Sequence, residues 1–293
     1  METCRDIEPE VLSCDIGGAS IQYLHYPSEG PTLILLHATG FLAWLWHPIA
    51  RRLKGRFRII APSFCDHRCA EPEEGGVNWA LLADDLRLLC NALGVSSAYL
   101  AGHSMGGTVI TIAAASGGVR PERMMLIEPI FLPQWIYRTG VTVEQHPLAS
   151  RSIRRRSAWS GVDEARIYLR SKPLFAKWDD EMLELYLKYG MVSSDAGGIH
   201  LACHPRREAA LFMGGLQFDP WPLLPSIECP VMVLEGETSE NRTFIDYRAI
   251  ATLFPKGEYR LVEQAGHLIP QEKPDLVASL MNDFFSEGAA SSR

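Results

Sequence analysis

The sequence predicts a mostly parallel, doubly wound α/β sheet with a helical cap insertion. Short apolar runs alternate with amphipathic helical stretches along most of the chain. That alternation is typical of a parallel sheet covered by helices on both faces. The alternation stops between about Phe131 and Pro222, where no clear strand pattern is found and helical stretches carry many aromatic residues. We therefore predict an α/β core from residues 1–131 and 223–293, and a helical cap from residues 132–222.

The elements of the core follow from the order of these patterns. Strands are predicted at Ile21–Tyr26, Thr32–His37, Phe57–Ala61, Ala98–Gly102, Met124–Glu128, Val231–Glu235 and Tyr259–Val262. Helices are predicted near Trp44–Leu53, Trp79–Leu93, Met105–Ser116, Arg242–Phe254 and Pro274–Phe285, and within the cap at Val162–Ser171, Asp179–Tyr189 and Arg206–Gly214. We expect the cap to be a helical insertion between two strands of the sheet and to cover one end of it.

Composition and charge limit the class of function. The chain has 293 residues, 47% of them apolar, and a formal net charge of −7. The acidic balance argues against a general nucleic-acid-binding surface, and the longest apolar stretch, Leu33–Trp46, is too short and too polar to span a bilayer. Seven cysteines at irregular spacing favour a reducing cytoplasm over secretion. We expect a cytoplasmic protein that needs no cofactor and acts on a small molecule, and homodimerisation is left open.

Two clusters have both a structural and a functional interpretation. The basic run Arg151-Ser-Ile-Arg-Arg-Arg156 is predicted to be a solvated helix face or a salt-bridged lid, with a patch for phosphate or carboxylate as the alternative. His200, Cys203 and His204, like Cys65–Cys69, have the residue types of a metal site. No carboxylate motif accompanies them, so we expect loop or surface residues and no metal.

A nucleophile is predicted at the centre of Gly102-His-Ser104-Met-Gly106, which has the pattern G-x-S-x-G. An apolar strand precedes it and an Ala-rich helical pattern follows. In that context the glycines allow strand and helix to approach closely while the hydroxyl of Ser104 is exposed on a tight turn. The helix N-terminus then presents free N–H groups, and the N–H of Met105 is a natural donor to an oxyanion.

A second loop carries a family resemblance. The strand Thr32–His37 is followed by Ala-Thr-Gly40, a turn and an apolar helix. This arrangement resembles the His-Gly-x-Gly loop of α/β-hydrolases, and the chain is similar to α/β-hydrolase-fold serine hydrolases over Pro31–Phe131 and Pro230–Phe285. The resemblance implies that the backbone N–H of Thr39 is the other oxyanion donor.

One loop departs from the family. Its members often carry Asp-x-Arg-Gly-His-Gly-x-Ser after the third of these strands, whereas this chain reads Ser63-Phe-Cys-Asp-His-Arg-Cys-Ala70. Because its glycines are gone, we expect a different pocket wall there.

The family's chain order of nucleophile, acid and histidine places His267 in the last position. It follows a strand in the sequence Gln264-Ala-Gly-His267, which resembles the terminal histidine loop of the family. In that position His267 removes the proton of Ser104 and later gives it to the leaving group.

The position of the acid is left between two glutamates. The family usually places it after the strand Val231–Glu235, but the residue at that position is Ser239, whose neutral hydroxyl cannot replace a charge. Glu240 serves if the loop is shifted by one residue. Glu128 ends the strand next to that of the nucleophile, where sites of open α/β sheets form, and we favour it on that geometry.

These residues predict a serine hydrolase with a Ser-His-Glu triad. The aromatic cap suggests a small or medium apolar carboxylic ester or lactone. The same triad can also cleave a C–C bond or an amide, and some proteins of this fold are ligand-binding receptors without activity. Ser104 argues against haloalkane dehalogenase and epoxide hydrolase chemistry, since both need an aspartate nucleophile.

Overall fold

The computed structural model describes residues 8–195 and 197–286. Its main sheet has eight strands in the order β1-β2-β4-β3-β5-β6-β10-β11. These strands are Glu10–Asp15 (β1), Ser20–Tyr26 (β2), Thr32–Leu36 (β3), Arg58–Pro62 (β4), Ser97–His103 (β5), Arg120–Ile127 (β6), Val231–Gly236 (β10) and Gly257–Val262 (β11). All neighbouring strands from β4 to β11 pair in parallel, and β2 pairs antiparallel with both of its neighbours, β1 and β4. The predicted fold class is therefore confirmed.

The helices pack on both faces of this sheet and over one end of it. They are His47–Leu53 (α1), Trp79–Ala92 (α2), Met105–Ala115 (α3), Pro147–Arg154 (α4), Val162–Arg170 (α5), Pro173–Ala176 (α6), Asp180–Tyr189 (α7), Pro205–Gly214 (α8), Tyr247–Leu253 (α9), Ile269–Glu272 (α10) and Pro274–Ser286 (α11). Short 3₁₀ turns occupy Ala43–Trp46, Pro72–Glu74, Ile136–Arg138, Trp221–Ser226 and Glu240–Thr243. Strand β5 is buried from Ala98 to His103 because helices cover both of its faces, which explains its continuous apolar sequence.

The predicted cap is not purely helical. Its helices α4 to α8 are accompanied by a three-stranded antiparallel sheet of Ala158–Trp159 (β7), Met191–Ser193 (β8) and Ile199–Leu201 (β9). Strands of two or three residues are too short to show an alternating pattern, so the expectation of no strand in this segment is wrong. The first core strand, β1, also gave no signal, because it lies at the sheet edge with mostly exposed side chains.

The predicted helix Arg242–Phe254 is in fact two elements. A 3₁₀ turn ends at Thr243, and α9 begins only at Tyr247. Asp246 caps α9 by accepting a hydrogen bond from the Ala249 N–H, which fixes the start of the helix there. The break brings Asn241 and Tyr247 to the same end of the sheet.

Cap and core share one apolar cluster. The ring of Phe41, just after β3, packs edge-on against Trp178 and Tyr186 of the cap, with centroids 5.3 and 6.1 Å apart. Trp44 stacks on Tyr189 with the ring centroids 3.7 Å apart. These contacts seat the cap directly over the loop that follows β3.

Candidate active site

Ser104 lies on a strained turn between β5 and α3. Its backbone has φ 55° and ψ −119°, a conformation that L-residues avoid. A Cβ on Gly102 would lie 2.5 Å from the backbone of Gly106, and one on Gly106 would lie 2.2 Å from the Leu36 carbonyl oxygen. Both glycines are therefore required by close backbone packing, as the G-x-S-x-G pattern predicts.

Two backbone N–H groups near this turn lack acceptors. The amides of Thr39 and Met105 donate no hydrogen bond to any residue within 8–195 and 197–286. Met105 is the first residue of α3, where the helix dipole adds partial positive charge. This part of the chain can stabilise a developing negative charge.

His37 fixes the loop that carries Thr39. Its Nε2 accepts the Phe64 N–H at 2.8 Å, and its Nδ1 donates to the Ala38 carbonyl oxygen at 2.8 Å. The ring is buried, and burial lowers its pKa to about 4. His37 is thus a neutral structural residue.

Acidification is expected to destabilise the fold through His37. An unfolded histidine titrates near 6.5, above the folded pKa of about 4. Between these two pKa values the unfolded chain binds more protons than the folded chain, so the free energy of unfolding falls as the pH falls. His37 alone is expected to lower it by about 2 kcal/mol between pH 7 and pH 5. Burial also lowers the pKa of His103, which acts in the same direction.

Urea unfolding of the wild type at pH 7 and pH 5 measures this loss. We expect His37→Asn to reduce this pH dependence. An equal pH dependence in wild type and His37→Asn would contradict the assignment.

His267 lies in the loop between β11 and α10 and faces Glu128. Its Nδ1 is 3.0 Å from Glu128 Oε2. The backbone of this loop is held from two sides, because His103 Nε2 donates to the His267 carbonyl oxygen at 2.9 Å and the Gly266 N–H donates to Glu272 at 2.8 Å. Among the described residues, the Ser104 hydroxyl makes no hydrogen bond to His267; in unliganded hydrolases this bond is often long.

Glu128 is fully buried in a cradle of donors. Its Oε1 accepts the Gly236 N–H at 2.7 Å, and its Oε2 accepts the hydroxyls of Ser239 at 2.7 Å and Tyr247 at 2.9 Å. These bonds compensate the cost of burying a carboxylate. Burial and the neighbouring Glu128 charge raise the pKa of Tyr247 well above its ordinary value, so its phenol is a permanent donor.

Strand register sets the spacing between Ser104 and Glu128. In the β5–β6 ladder His103 pairs with Ile127, and the Ser104 N–H donates to the Ile127 carbonyl oxygen at 2.9 Å. Glu128 in turn donates its N–H to the Leu234 carbonyl oxygen of β10 at 2.9 Å. The two side chains therefore begin from adjacent strand ends.

The structure does not bring the alternative acid to His267. Glu240 is exposed at the start of its 3₁₀ turn, and its carboxylate makes no hydrogen bond to His267 within the described residues. The other nearby carboxylates are engaged locally, since Glu237 accepts the Gln264 N–H and Asp246 caps α9. Asn241 Nδ2 lies 3.0 Å from His267 Nδ1, and the Tyr247 hydroxyl donates to Glu128. Sequence reasoning missed both residues, because no local motif marks a hydrogen bond between distant segments.

The sequence model of the alpha/beta hydrolase family matches residues 33–280, which is most of the chain. The chain belongs to this family.

Relatives that match this chain over most of its length are named as hydrolases. It is 26% identical to N-formylmaleamate deformylase of Pseudomonas putida, over 91% of this chain and 93% of that protein. It is 24% identical to carboxylesterase YbfK of Bacillus subtilis, over 89% of this chain and 82% of that protein. The crystal structure of E-2-(acetamidomethylene)succinate hydrolase covers 95% of this chain and all of its own, with a TM-score of 0.79 at 20% identity. That structural likeness supports the hydrolase fold.

The loop Ser63–Ala70, which departs from the alpha/beta hydrolase pattern, is held by the interactions of His67 and Arg68 with Asp85. Asp85 of α2 is fully buried, and its Oδ2 lies 2.9 Å from both His67 Nε2 and Arg68 Nε. Although burial favours the protonated form of Asp85, the bonds from Arg68 and His67 hold its pKa below the usual value. This loop places Cys65 and Asp66 in the lining of a cavity beside the predicted cap.

The remaining sequence expectations concern metal and membrane. Within residues 8–195 and 197–286, no group of three metal-ligating side chains forms, and His204 instead caps α8 by accepting the Arg206 N–H. None of the helices in that part of the chain has the length and apolar character needed to cross a bilayer.

Proposed function

We propose that this protein is a serine hydrolase that works through an acyl-enzyme, with Ser104, His267 and Glu128 as its triad. The observation that carries the proposal is the 3.0 Å contact between His267 Nδ1 and the buried carboxylate of Glu128, one strand from the strained Ser104 turn. A buried carboxylate beside Nδ1 favours the tautomer in which Nδ1 carries the proton and Nε2 is free to accept one, although Asn241 Nδ2 also lies 3.0 Å from Nδ1.

The proposed reaction has two steps. Ser104 Oγ attacks the substrate carbonyl carbon while His267 Nε2 takes its proton, and the oxyanion binds to the N–H groups of Thr39 and Met105. Collapse expels the leaving group, which receives the proton from Nε2. Water then attacks the acyl-enzyme with His267 as base, and Ser104 is regenerated. Glu128 stabilises the imidazolium in both steps.

A small or medium carboxylic ester or lactone remains our primary substrate class. A cavity of about 180 Å³ borders the loop after Thr39 and is lined by Phe41, Trp44, Tyr186 and Tyr189 among others. Its aromatic walls suit an apolar acyl group. An amide is the second candidate, because the deformylase relative is named for removing a formyl group from nitrogen.

Labelling with a fluorophosphonate probe tests the proposal. We expect the folded protein to be modified at Ser104, as located by mass spectrometry of its peptides, and heat-denatured protein to remain unmodified. A panel of p-nitrophenyl esters, lactones and amides would then rank the bond types by kcat/KM. A well-folded protein that takes up no probe would be a ligand-binding receptor on this fold, and the proposal would be wrong.

Ser239→Ala is expected to reduce kcat about 10-fold, since a hydrogen bond to a charged group contributes about 1.5–3 kcal/mol. Its hydroxyl donates to Glu128 Oε2, the oxygen that faces His267. Ser226→Ala is the matched control, because within residues 8–195 and 197–286 that exposed hydroxyl donates only to the nearby carbonyl oxygen of Leu223. Steady-state measurements of kcat for both variants test this expectation. An equal loss of kcat in the two variants would argue against a role for Ser239.

A further inference from the structure

Two cysteines from separate segments of the chain meet beside the cavity near the proposed oxyanion loop. Cys65 belongs to the loop 63–70, and Cys203 lies between β9 and α8 of the predicted cap. Both residues line the cavity of about 180 Å³, together with Gly40 and Phe41. Both are free thiols. One thiol from the core and one from the predicted cap therefore border the space that we assign to the acyl group.

The two segments are also held against each other by hydrogen bonds. The side chain of Cys65 hydrogen-bonds to that of Cys203. Arg207 of α8 donates from Nη1 to the carbonyl oxygen of Asp66, the next residue of the loop, at 2.9 Å. This second bond fixes the start of α8 against the loop without any help from the thiols. The two sulfur atoms are thus neighbours, although their residues are far apart in the sequence.

The surroundings of the pair favour thiol chemistry over metal binding. Within residues 8–195 and 197–286, no third metal-ligating side chain joins the two cysteines. The hydrogen bond to Cys203 and burial raise the pKa of the Cys65 thiol well above its ordinary value. Since the thiolate is the species that oxidants attack, we expect Cys65 to react slowly at neutral pH and faster as the pH rises.

We propose that Cys65 and Cys203 are a redox-active pair, which a peroxide converts into a disulfide between the core and the predicted cap. Their side-chain contact provides what such an oxidation needs, a second thiol beside the one that reacts first. The arrangement differs from that of the exposed Cys69, which lies in the same loop but does not line the cavity.

The reaction has two steps and needs one molecule of hydrogen peroxide. One thiol loses its proton, and its sulfur attacks a peroxide oxygen. The O–O bond breaks, a sulfenic acid forms, and the departing hydroxide takes up the proton as water. The sulfur of the second thiol then attacks the sulfenic sulfur, so that an S–S bond forms and a second water leaves. The two sulfurs are oxidised by two electrons in total, and the peroxide is reduced.

The disulfide is expected to narrow the cavity. Its sulfur atoms are about 2.0 Å apart, closer than those of two hydrogen-bonded thiols. Because Asp85 anchors the loop 63–70 to α2, most of this approach falls on the Cys203 side. Gly190 and Ala202 line the cavity on that side and share a backbone hydrogen bond of 2.9 Å. We expect them to follow Cys203, which reduces the room for a long acyl group.

Peptide mass spectrometry of the peroxide-treated full chain tests whether the bridge forms. Trypsin releases Cys65 in the peptide 59–68 and Cys203 in the peptide 189–206, and neither peptide contains another cysteine. After free thiols are blocked with N-ethylmaleimide, we expect these two peptides to be joined, and to separate on treatment with dithiothreitol. Sulfinic acid at either cysteine without the joined peptides would overturn the proposal, and so would two unmodified thiols.

A matched variant checks the pairing. Cys69→Ser removes the exposed thiol of the same loop, and the joined peptides should form in it as in the wild type. A bridge between Cys65 and Cys69 in the wild type would contradict the proposed pair.

Ester rates test the effect on the cavity, which rests on the hydrolase function proposed above. We expect the bridge to lower kcat/KM for p-nitrophenyl hexanoate about 10-fold relative to p-nitrophenyl acetate. Reduction with dithiothreitol, followed by its removal, should restore the ratio. In Cys65→Ser the ratio of the two esters should be the same before and after peroxide. An unchanged ratio in the bridged wild type would overturn the narrowing of the cavity.

The peptide measurement separates this proposal from the catalytic one, because it needs no turnover. Joined peptides from a protein that takes up no fluorophosphonate would retain the thiol pair and reject the hydrolase. Labelling of Ser104 without joined peptides would retain the hydrolase and reject the thiol pair.

Discussion

Ser104→Ala is expected to lower kcat by at least about 10⁴-fold on the best substrate of the ester panel. The change removes the only proposed nucleophile and leaves the oxyanion donors of Thr39 and Met105 in place. A small rate above that of water should remain for this reason. Initial rates at saturating substrate measure the loss.

The matched control for this variant is Ser116→Ala, at the exposed C-terminal end of the same helix α3. Both proteins should show wild-type circular dichroism, since neither change fills or empties a buried space of more than one oxygen atom. Full activity in Ser104→Ala would mean that the chemistry takes place elsewhere.

Glu128→Gln is expected to lower kcat by about 10³- to 10⁴-fold, with a smaller effect on KM. The neutral amide can no longer stabilise the imidazolium of His267, and it can favour the wrong tautomer. Glu240→Gln is the decisive comparison, because that exposed glutamate was the other candidate acid and should be replaceable without loss. If Glu240→Gln is the inactive variant, our assignment is wrong.

Stability must be measured alongside the activity of Glu128→Gln. Donors face both oxygens of Glu128, from the Gly236 N–H on one side and from Ser239 and Tyr247 on the other. A glutamine must turn its own NH₂ toward one of these donors, at a cost of about 1–3 kcal/mol. A lower melting temperature with retained cooperativity is therefore expected, and rates should be compared well below it.

Local sequence motifs predicted only part of the candidate site. Ser104 and His267 each lie next to glycines that indicate a tight backbone turn, so both could be proposed from the sequence. Glu128 could be proposed because the end of a parallel strand places a side chain at a known edge of the sheet. In contrast, the tyrosine at 247 comes from another segment, and its bond to Glu128 depends on where α9 begins.

Short or exposed elements were the ones that the sequence did not reveal. The strand β1 buries little surface, so its side chains are not constrained to alternate. The two-residue strand β7 in the cap is defined by backbone pairing with β9 alone. The ion pair between Arg155 and the nearly buried Glu208 had no sequence signal either, since the neighbouring Arg154 and Arg156 are exposed and have the same chemistry.

The position of Glu128 on β6 affects how the protein could be re-engineered. Residues 37–128 form one uninterrupted segment that holds Thr39, Ser104, Met105 and the proposed acid, and the predicted insertion at 132–222 begins only after it. Replacing that insertion with one from another hydrolase would keep these groups in register through the β5–β6 ladder. We therefore expect that the substrate range can be changed by exchanging this one contiguous insertion.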